Sequence, residues 1–140
     1  MPMPNLPAQE LRFAIQRLGR RIRLMQANSE VTESQRAVIF TLFNDGPQSL
    51  SSLAESEHVS PPSMNRTVNL LADLGFVSRE SDDDDGRKIA VTLTDAGAEF
   101  VEETRRRRDA WFARRLDTLS VREQKVLEQA TPILQKLIDE

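Results

Sequence analysis

Pro62, Ser63, Asn65, Arg66 and Asn69 fall on one side of any helix drawn through them, and their side chains suit the edges of nucleic-acid bases. A guanidinium such as that of Arg66 can donate two hydrogen bonds to guanine, and an amide such as Asn65 or Asn69 can pair with adenine. Ser63 and the backbone N–H groups at the start of such a helix can hold a phosphate. The same pattern also fits an ordinary solvated face, although a plain surface more often carries Glu and Lys. A second candidate is the run Asp85-Gly86-Arg87-Lys88, which sets two cations beside a glycine. At a loop tip, Arg87 can enter a minor groove, with Asp85 holding its guanidinium in place. The alternative is an exposed turn whose Asp and Gly serve backbone geometry. Glu80, Asp82, Asp83, Asp84 and Asp85 outweigh Arg87 and Lys88, a local balance that opposes a phosphate surface.

These residues need elements to carry them. Ser60 is a good N-cap and Pro61 suits the first helical position, where a missing N–H costs nothing. The helix from Pro61 should bury Met64, Val68, Leu71 and either Leu70 or Leu74, and end at Gly75 in a positive-φ conformation. Before it, Ser49 caps a short helix with Leu50, Leu53 and Ala54 inward, and His58 and Val59 form a tight turn. After it, residues 76–80 and 87–93 read as the strands of a hairpin, with Ile89, Val91 and Leu93 on one face. The middle of the chain is thus a helix-turn-helix followed by a β-wing. Upstream, Thr32 and Gln35 form a capping box for an almost wholly apolar helix that stops at Asn44-Asp45-Gly46-Pro47. At the N-terminus, Leu11, Ile15, Leu18, Ile22 and Met25 make a heptad seam. Downstream, Thr94 caps a long helix carrying Phe100, Trp111, Phe112 and Leu116. Ser120 and Glu123 then box the start of a last helix, whose seam is Val126, Ala130, Ile133 and Leu137, interrupted by Pro132.

The expected fold class is mostly α with a small β-wing. Residues 1–31 form an N-terminal dimerisation helix, 32–93 a winged helix-turn-helix lobe, and 94–140 the C-terminal dimerisation helices. The seams have too little middle to cover, so Leu11, Ile15, Leu18, Leu116, Val126, Ile133 and Leu137 are expected to meet a second copy of the chain.

Composition removes other classes. The 140 residues carry a net charge of −3, and Cys is absent, which excludes disulfides, cysteine zinc sites and thiol chemistry. His58 is the single histidine, too little for a catalytic set. There is no Gly-rich phosphate loop, and residues 82–85 lack the Gly and distant Glu of a calcium loop. No enzyme activity, metal or cofactor is expected. No apolar run is long enough to span a membrane. No basic stretch followed by an apolar one opens the chain, so a cytoplasmic protein is expected.

One stretch ties these pieces together. Asp85-Gly86-Arg87-Lys88-Ile89-Ala90-Val91-Thr92-Leu93-Thr94-Asp95-Ala96-Gly97 resembles the wing signature of the MarR (multiple antibiotic resistance regulator) family, an Asp-x-Arg followed by a strand ending in Leu-Thr, x, x, Gly. Leu50-Ser51-Ser52-Leu53-Ala54 is similar to the family's short helix. Ser60-Pro61-Pro62-Ser63-Met64-Asn65-Arg66, with residues 71–77, is similar to its recognition helix and exit. The resemblance implies a homodimeric winged-helix transcription regulator, usually a repressor, bound to double-stranded DNA at a pseudo-palindromic operator. It makes Arg87 the minor-groove arginine and Asp85 its orienting partner. The DNA-contact set becomes Ser49, Ser60, Pro62, Ser63, Asn65, Arg66, Asn69, Asp85, Arg87 and Lys88. The run of four Asp departs from relatives, which more often have mixed charge there.

MarR-like proteins often bind anionic aromatic compounds. Here Phe13, Phe40, Phe43 and Trp111, with Arg17 and Arg21 as carboxylate partners, could line such an effector pocket, or could equally be core. Arg105, Arg106, Arg107 and Arg108 can pair with Glu99, Glu102 and Glu103, with Glu102/Arg106 and Glu103/Arg107 in the favoured i,i+4 order, or can form a phosphate patch. Two other functions remain open at this stage. A winged helix that only binds proteins would want an apolar recognition face, and a ligand-independent activator would have the same sequence features as a repressor.

Overall fold

The computed structural model describes residues 7–81 and 89–139. Asp82, Asp83, Asp84, Asp85, Gly86, Arg87 and Lys88, with the wing-tip expectations attached to them, lie outside the described residues. The elements run α1 (Ala8–Arg23), α2 (Glu33–Asp45), β1 (Gln48–Ser49), α3 (Leu50–Ser56), α4 (Pro61–Asp73), β2 (Val77–Ser81), β3 (Ile89–Leu93), α5 (Asp95–Asp117) and α6 (Val121–Ile138). The described residues divide into two compact units, one within 26–106 and one of residues 7–25 with 107–139.

The unit of residues 26–106 is a helix-turn-helix on a three-stranded antiparallel sheet in the order β1-β3-β2. Val77 pairs with Leu93 and Ser81 with Ile89 across β2 and β3, while Gln48 and Ser49 pair with Val91 and Ala90. Its core gathers Val38, Ile39 and Leu42 of α2, Leu53 and Ala54 of α3, and Met64, Val68 and Leu71 of α4. Val77, Val91, Phe100 and Val101 close it from the sheet and α5. Each of these side chains larger than Ala54 contributes roughly 1.5–3 kcal/mol by leaving water. Thr104 is wholly buried, and its Oγ1 accepts the backbone N–H of Ala27 at 3.0 Å. The sequence reading assigned all of 94–140 to dimerisation helices, but Phe100, Val101 and Thr104 bury the first part of α5 in this lobe.

Local signals fix the helix ends. Thr32 Oγ1 accepts from Gln35 N while Gln35 Oε1 accepts from Thr32 N, and the same reciprocal pair joins Ser120 and Glu123. Gly75 ends α4 with φ 86°, its N–H donating to Ala72 O and that of Phe76 to Leu71 O. His58 takes the same left-handed role after α3, with φ 56°. Its N–H donates to Glu55 O and that of Val59 to Ala54 O. One expectation needs correction here. Neither Leu70 nor Leu74 joins the core, since both stand exposed beyond the stripe that Met64, Val68 and Leu71 complete. Along the face of β3 that carries Ile89, Val91 and Leu93, Val91 is buried, while Ile89, paired with Ser81 at the outer end of the hairpin, is exposed.

In the other unit, α1 and the later part of α5 are tied by Arg108, whose Nε donates to Met25 O at 3.1 Å. Gln124 of α6 donates to Leu116 O at 2.8 Å, closing the end of α5. Leu11, Ile15, Leu18, Val126, Ile133 and Leu137 are all exposed, Leu137 at 68%. Leu116 is partly buried. No helix among the described residues is long and apolar enough to cross a membrane.

Candidate nucleic-acid interface

Helix α4 begins at Ser60, whose Oγ accepts from Ser63 N at 3.2 Å, with Pro61 and Pro62 in the first turn. Its buried side, Met64, Val68 and Leu71, seats it against the core. The 3.6-residue repeat therefore turns Pro62, Asn65, Arg66 and Asn69 outward, and all four are exposed. Ser63 is partly buried and sits in a chain of polar contacts. Ser60 Oγ donates to Ser63 Oγ at 3.1 Å, and Arg66 Nη2 donates to the same oxygen at 3.1 Å. This contact holds the Arg66 guanidinium over the first turn of the helix, and among the described residues its remaining N–H groups have no acceptor. Arg66 and Asp73 are the charged residues of α4, and Asp73 stands at its far end.

Ser49 stands at the start of α3, where its Oγ accepts from Ser52 N at 3.1 Å and contacts Ser51 and Ser52 Oγ. It is exposed, as is His58 in the turn. Such a surface can offer hydroxyl and N–H donors to phosphate and a short row of amide and guanidinium groups to a groove.

Sequence reasoning missed one residue of this surface. Arg79, on β2, reaches across to α4. Its Nη1 donates to Asn69 Oδ1 at 2.7 Å and its Nη2 to Asn65 Oδ1 at 2.7 Å. A lone cation in a predicted strand next to a run of acids gave no reason to look for a contact with a helix ten or more residues earlier.

The residues expected to line an effector pocket are divided between the two units. Phe40 and Phe43 pack against the core of the 26–106 unit, and Arg105 lies over the Phe43 ring at 4.8 Å. Phe13, Arg17, Arg21 and Trp111 belong to the other unit. There Trp111 has Arg115 over its ring at 5.1 Å and Arg21 at 5.9 Å. A groove of about 730 Å³ in that unit is lined instead by Leu18, Phe112, Leu116, Gln124, Leu127 and Leu134, among others. The arginine run divides its duties. Arg106 pairs with Glu103 at 2.8 Å and Glu99 at 3.1 Å, Arg105 lies 3.8 Å from Glu102, and Arg108 caps α1. Among the described residues, no group of His, Asp or Glu is arranged to hold a metal ion.

Known proteins share this arrangement. The MarR family matches residues 31–89, which hold α2 to the start of β3. An HTH-type transcriptional regulator of Mycobacterium bovis is 41% identical over 133 residues, spanning 95% of this chain and 93% of that protein. One from Mycobacterium leprae gives the same identity and coverage. Among solved structures, YusO from Bacillus subtilis is 27% identical, with a TM-score of 0.71 over 98% of both chains. Transcriptional regulator Tm0710 from Thermotoga maritima shares the fold with a TM-score of 0.81, covering 94% of this chain and 95% of that one, at 16% identity.

Proposed function

The chain belongs to the MarR family of HTH-type transcriptional regulators, and on that premise we propose that it is a homodimeric repressor that reads a pseudo-palindromic operator with α4 and is released by a small ligand. The observation that carries the DNA reading is the two-sidedness of α4. One face is locked into the core by Met64, Val68 and Leu71, and the other holds Pro62, Asn65, Arg66 and Asn69 in the open. The centre of a protein-binding surface would favour aromatic or other large apolar groups, and none of these four is one. On this reading Ser49, Ser60 and Ser63 supply phosphate contacts, and Arg87, oriented by Asp85 and flanked by Lys88, enters the adjacent minor groove.

The dimer reading rests on the unpartnered stripes of α1 and α6, which a monomer would leave in water. A pseudo-palindromic operator asks for two copies of α4, one for each of two successive major grooves about 34 Å apart. An organic anion or hydrophobic compound is the effector class that suits a chain without Cys and with arginines beside aromatic rings. The protein works in the cytoplasm, where its DNA is.

Selection of bound duplex from a random library tests the proposal. The expected outcome is an enriched inverted repeat with half-site centres one helical turn apart. Recovery of duplexes without any shared sequence would refute it. On the selected site, Arg66→Ala should cost about 1–3 kcal/mol and relax preference at one position per half-site.

A further inference from the structure

The contact between Arg79 and the two asparagines sets more than a conformation. A guanidinium has only donors, so each amide must turn its oxygen toward Arg79. Both bonds are 2.7 Å, short and charge-assisted. Asn65 and Asn69 lie one turn apart on α4, so a single fork fixes both amides in the same sense. Reversing either would set N–H against N–H. A freely rotating Asn can offer its oxygen and nitrogen together, the arrangement that pairs with adenine. Here each oxygen already gives one of its two lone pairs to a cation, which weakens it as an acceptor for adenine N6–H, draws electron density from the amide and sharpens its N–H groups as donors. Among the described residues, neither amide nitrogen has a protein acceptor.

We propose that Arg79 is a specificity-determining positioning residue, which turns Asn65 and Asn69 into N–H donors that read acceptor edges, guanine N7 and O6 foremost, rather than adenine. This rests on the DNA-binding reading of α4 above. It differs from that reading in the base it assigns and in the residue that imposes the choice.

The test uses the full-length protein and the operator it selects, with fluorescence anisotropy at several salt concentrations. Guanine should be enriched at the positions whose preference is lost in Asn65→Ala and Asn69→Ala, and 7-deazaguanine there should weaken binding. Arg79→Met should reduce discrimination between guanine and adenine at those positions by roughly tenfold, with the slope of log affinity against log salt unchanged. In the Asn65→Ala/Asn69→Ala background, Arg79→Met should have no further effect, as expected for residues that act as one unit. The proposal is overturned if Arg79→Met weakens specific and scrambled duplexes alike and lowers the salt slope by about 0.9, the mark of a lost phosphate contact. It is also overturned if adenine is enriched at those positions, or if the double-alanine background leaves the Arg79 effect intact. Should Arg79→Met fold poorly, Asn65→Asp decides the matter: it keeps the guanidinium satisfied but has no N–H donor, and must lose the guanine preference. Absence of any selected site in the wild type would refute DNA reading itself, whereas a selected site indifferent to Arg79 would refute this inference alone.

Discussion

Gly97 stands where the long helix α5 leaves the sheet, and replacing it by alanine should be among the most damaging small changes to the lobe. An added Cβ would press on the carbonyl oxygen of Phe76 and lie 2.5 Å from Leu93 Cδ1 and 2.9 Å from Leu93 Cγ. Leu93 is a side chain and could retreat. The Phe76 carbonyl cannot, because it accepts the N–H of Thr94 at 3.1 Å. Thr94 Oγ1 in turn donates to Gly75 O at 2.6 Å and accepts Gly97 N at 3.1 Å, so the helix start is fastened to the strand exit on both sides. Relief needs the helix to lift away, and Phe100 and Val101 in the next turn are buried. Overpacking of this kind costs about 1–3 kcal/mol, and contact with backbone places it at the upper end. Alanine's better helix propensity returns at most about 1 kcal/mol. A net loss of about 2 kcal/mol corresponds to a fall in Tm of roughly 4–10 °C for a chain of this size. Thermal unfolding followed by circular dichroism measures it, with Gly75→Ala as a contrast. At Gly75 nothing lies within 4 Å of an added Cβ, and the penalty is the left-handed backbone alone. Asparagine should therefore be better tolerated than alanine at 75, but worse than alanine at 97. A Gly97→Ala protein with wild-type Tm would refute the argument that the Phe76 carbonyl is immovable.

Three further outcomes can be measured. Thr104→Val keeps the side-chain shape but strands the N–H of Ala27, and chemical denaturation should show a loss of about 1–2 kcal/mol; no loss would mean that water reaches that N–H. Ile133→Glu with Leu137→Glu should give a folded monomer in sedimentation at micromolar concentration, whereas an unchanged dimer would move the interface away from the α6 stripe. Glu123 is held below the usual carboxylate range, first by accepting the backbone N–H of Ser120 and then by the Ser120 side chain. Its contribution is present above the ordinary glutamate pKa and is lost as pH falls through the lowered folded value. Glu123→Gln keeps a capping acceptor, so acid titration of its stability should be shallower than that of the wild type, and identical profiles would remove Glu123 from the acid response.

What could be read from sequence divides by the range of the interaction. The caps at Thr32, Ser60 and Ser120, and the glycine turn at Gly75, are hydrogen bonds closed within about five residues, and their partners stand side by side in the chain. The buried face of α4 was legible as periodicity up to Leu71. Its last turn was not, because Leu70 and Leu74 continue the apolar pattern past the edge of what the lobe can cover. Strand β1 has two residues and exists only because Val91 and Ala90, some forty positions later, supply its ladder. Arg79 was hidden for a similar reason. Its partners lie 10 and 14 residues away on another element, and a charged residue on a strand edge ordinarily means solvent. The residues of α4 that could face DNA were visible, but the fork that orients two of them was not.

The turn between α3 and α4 leaves no slack. Val59 already bonds back to Ala54 O, His58 occupies the left-handed position, and Ser60 is committed to Ser63. Every residue of the linker serves one helix or the other. One extra residue within α4 would rotate everything after it by about 100°. Asn65 and Asn69 would swing away from Arg79 at the moment Met64, Val68 and Leu71 left the core. The turn therefore keeps the phase of α4, linking the register of what it buries to the register of what it presents. A lineage of such proteins can change its operator by exchanging side chains at 62, 65, 66 and 69, but not by changing the length of the chain that leads to them.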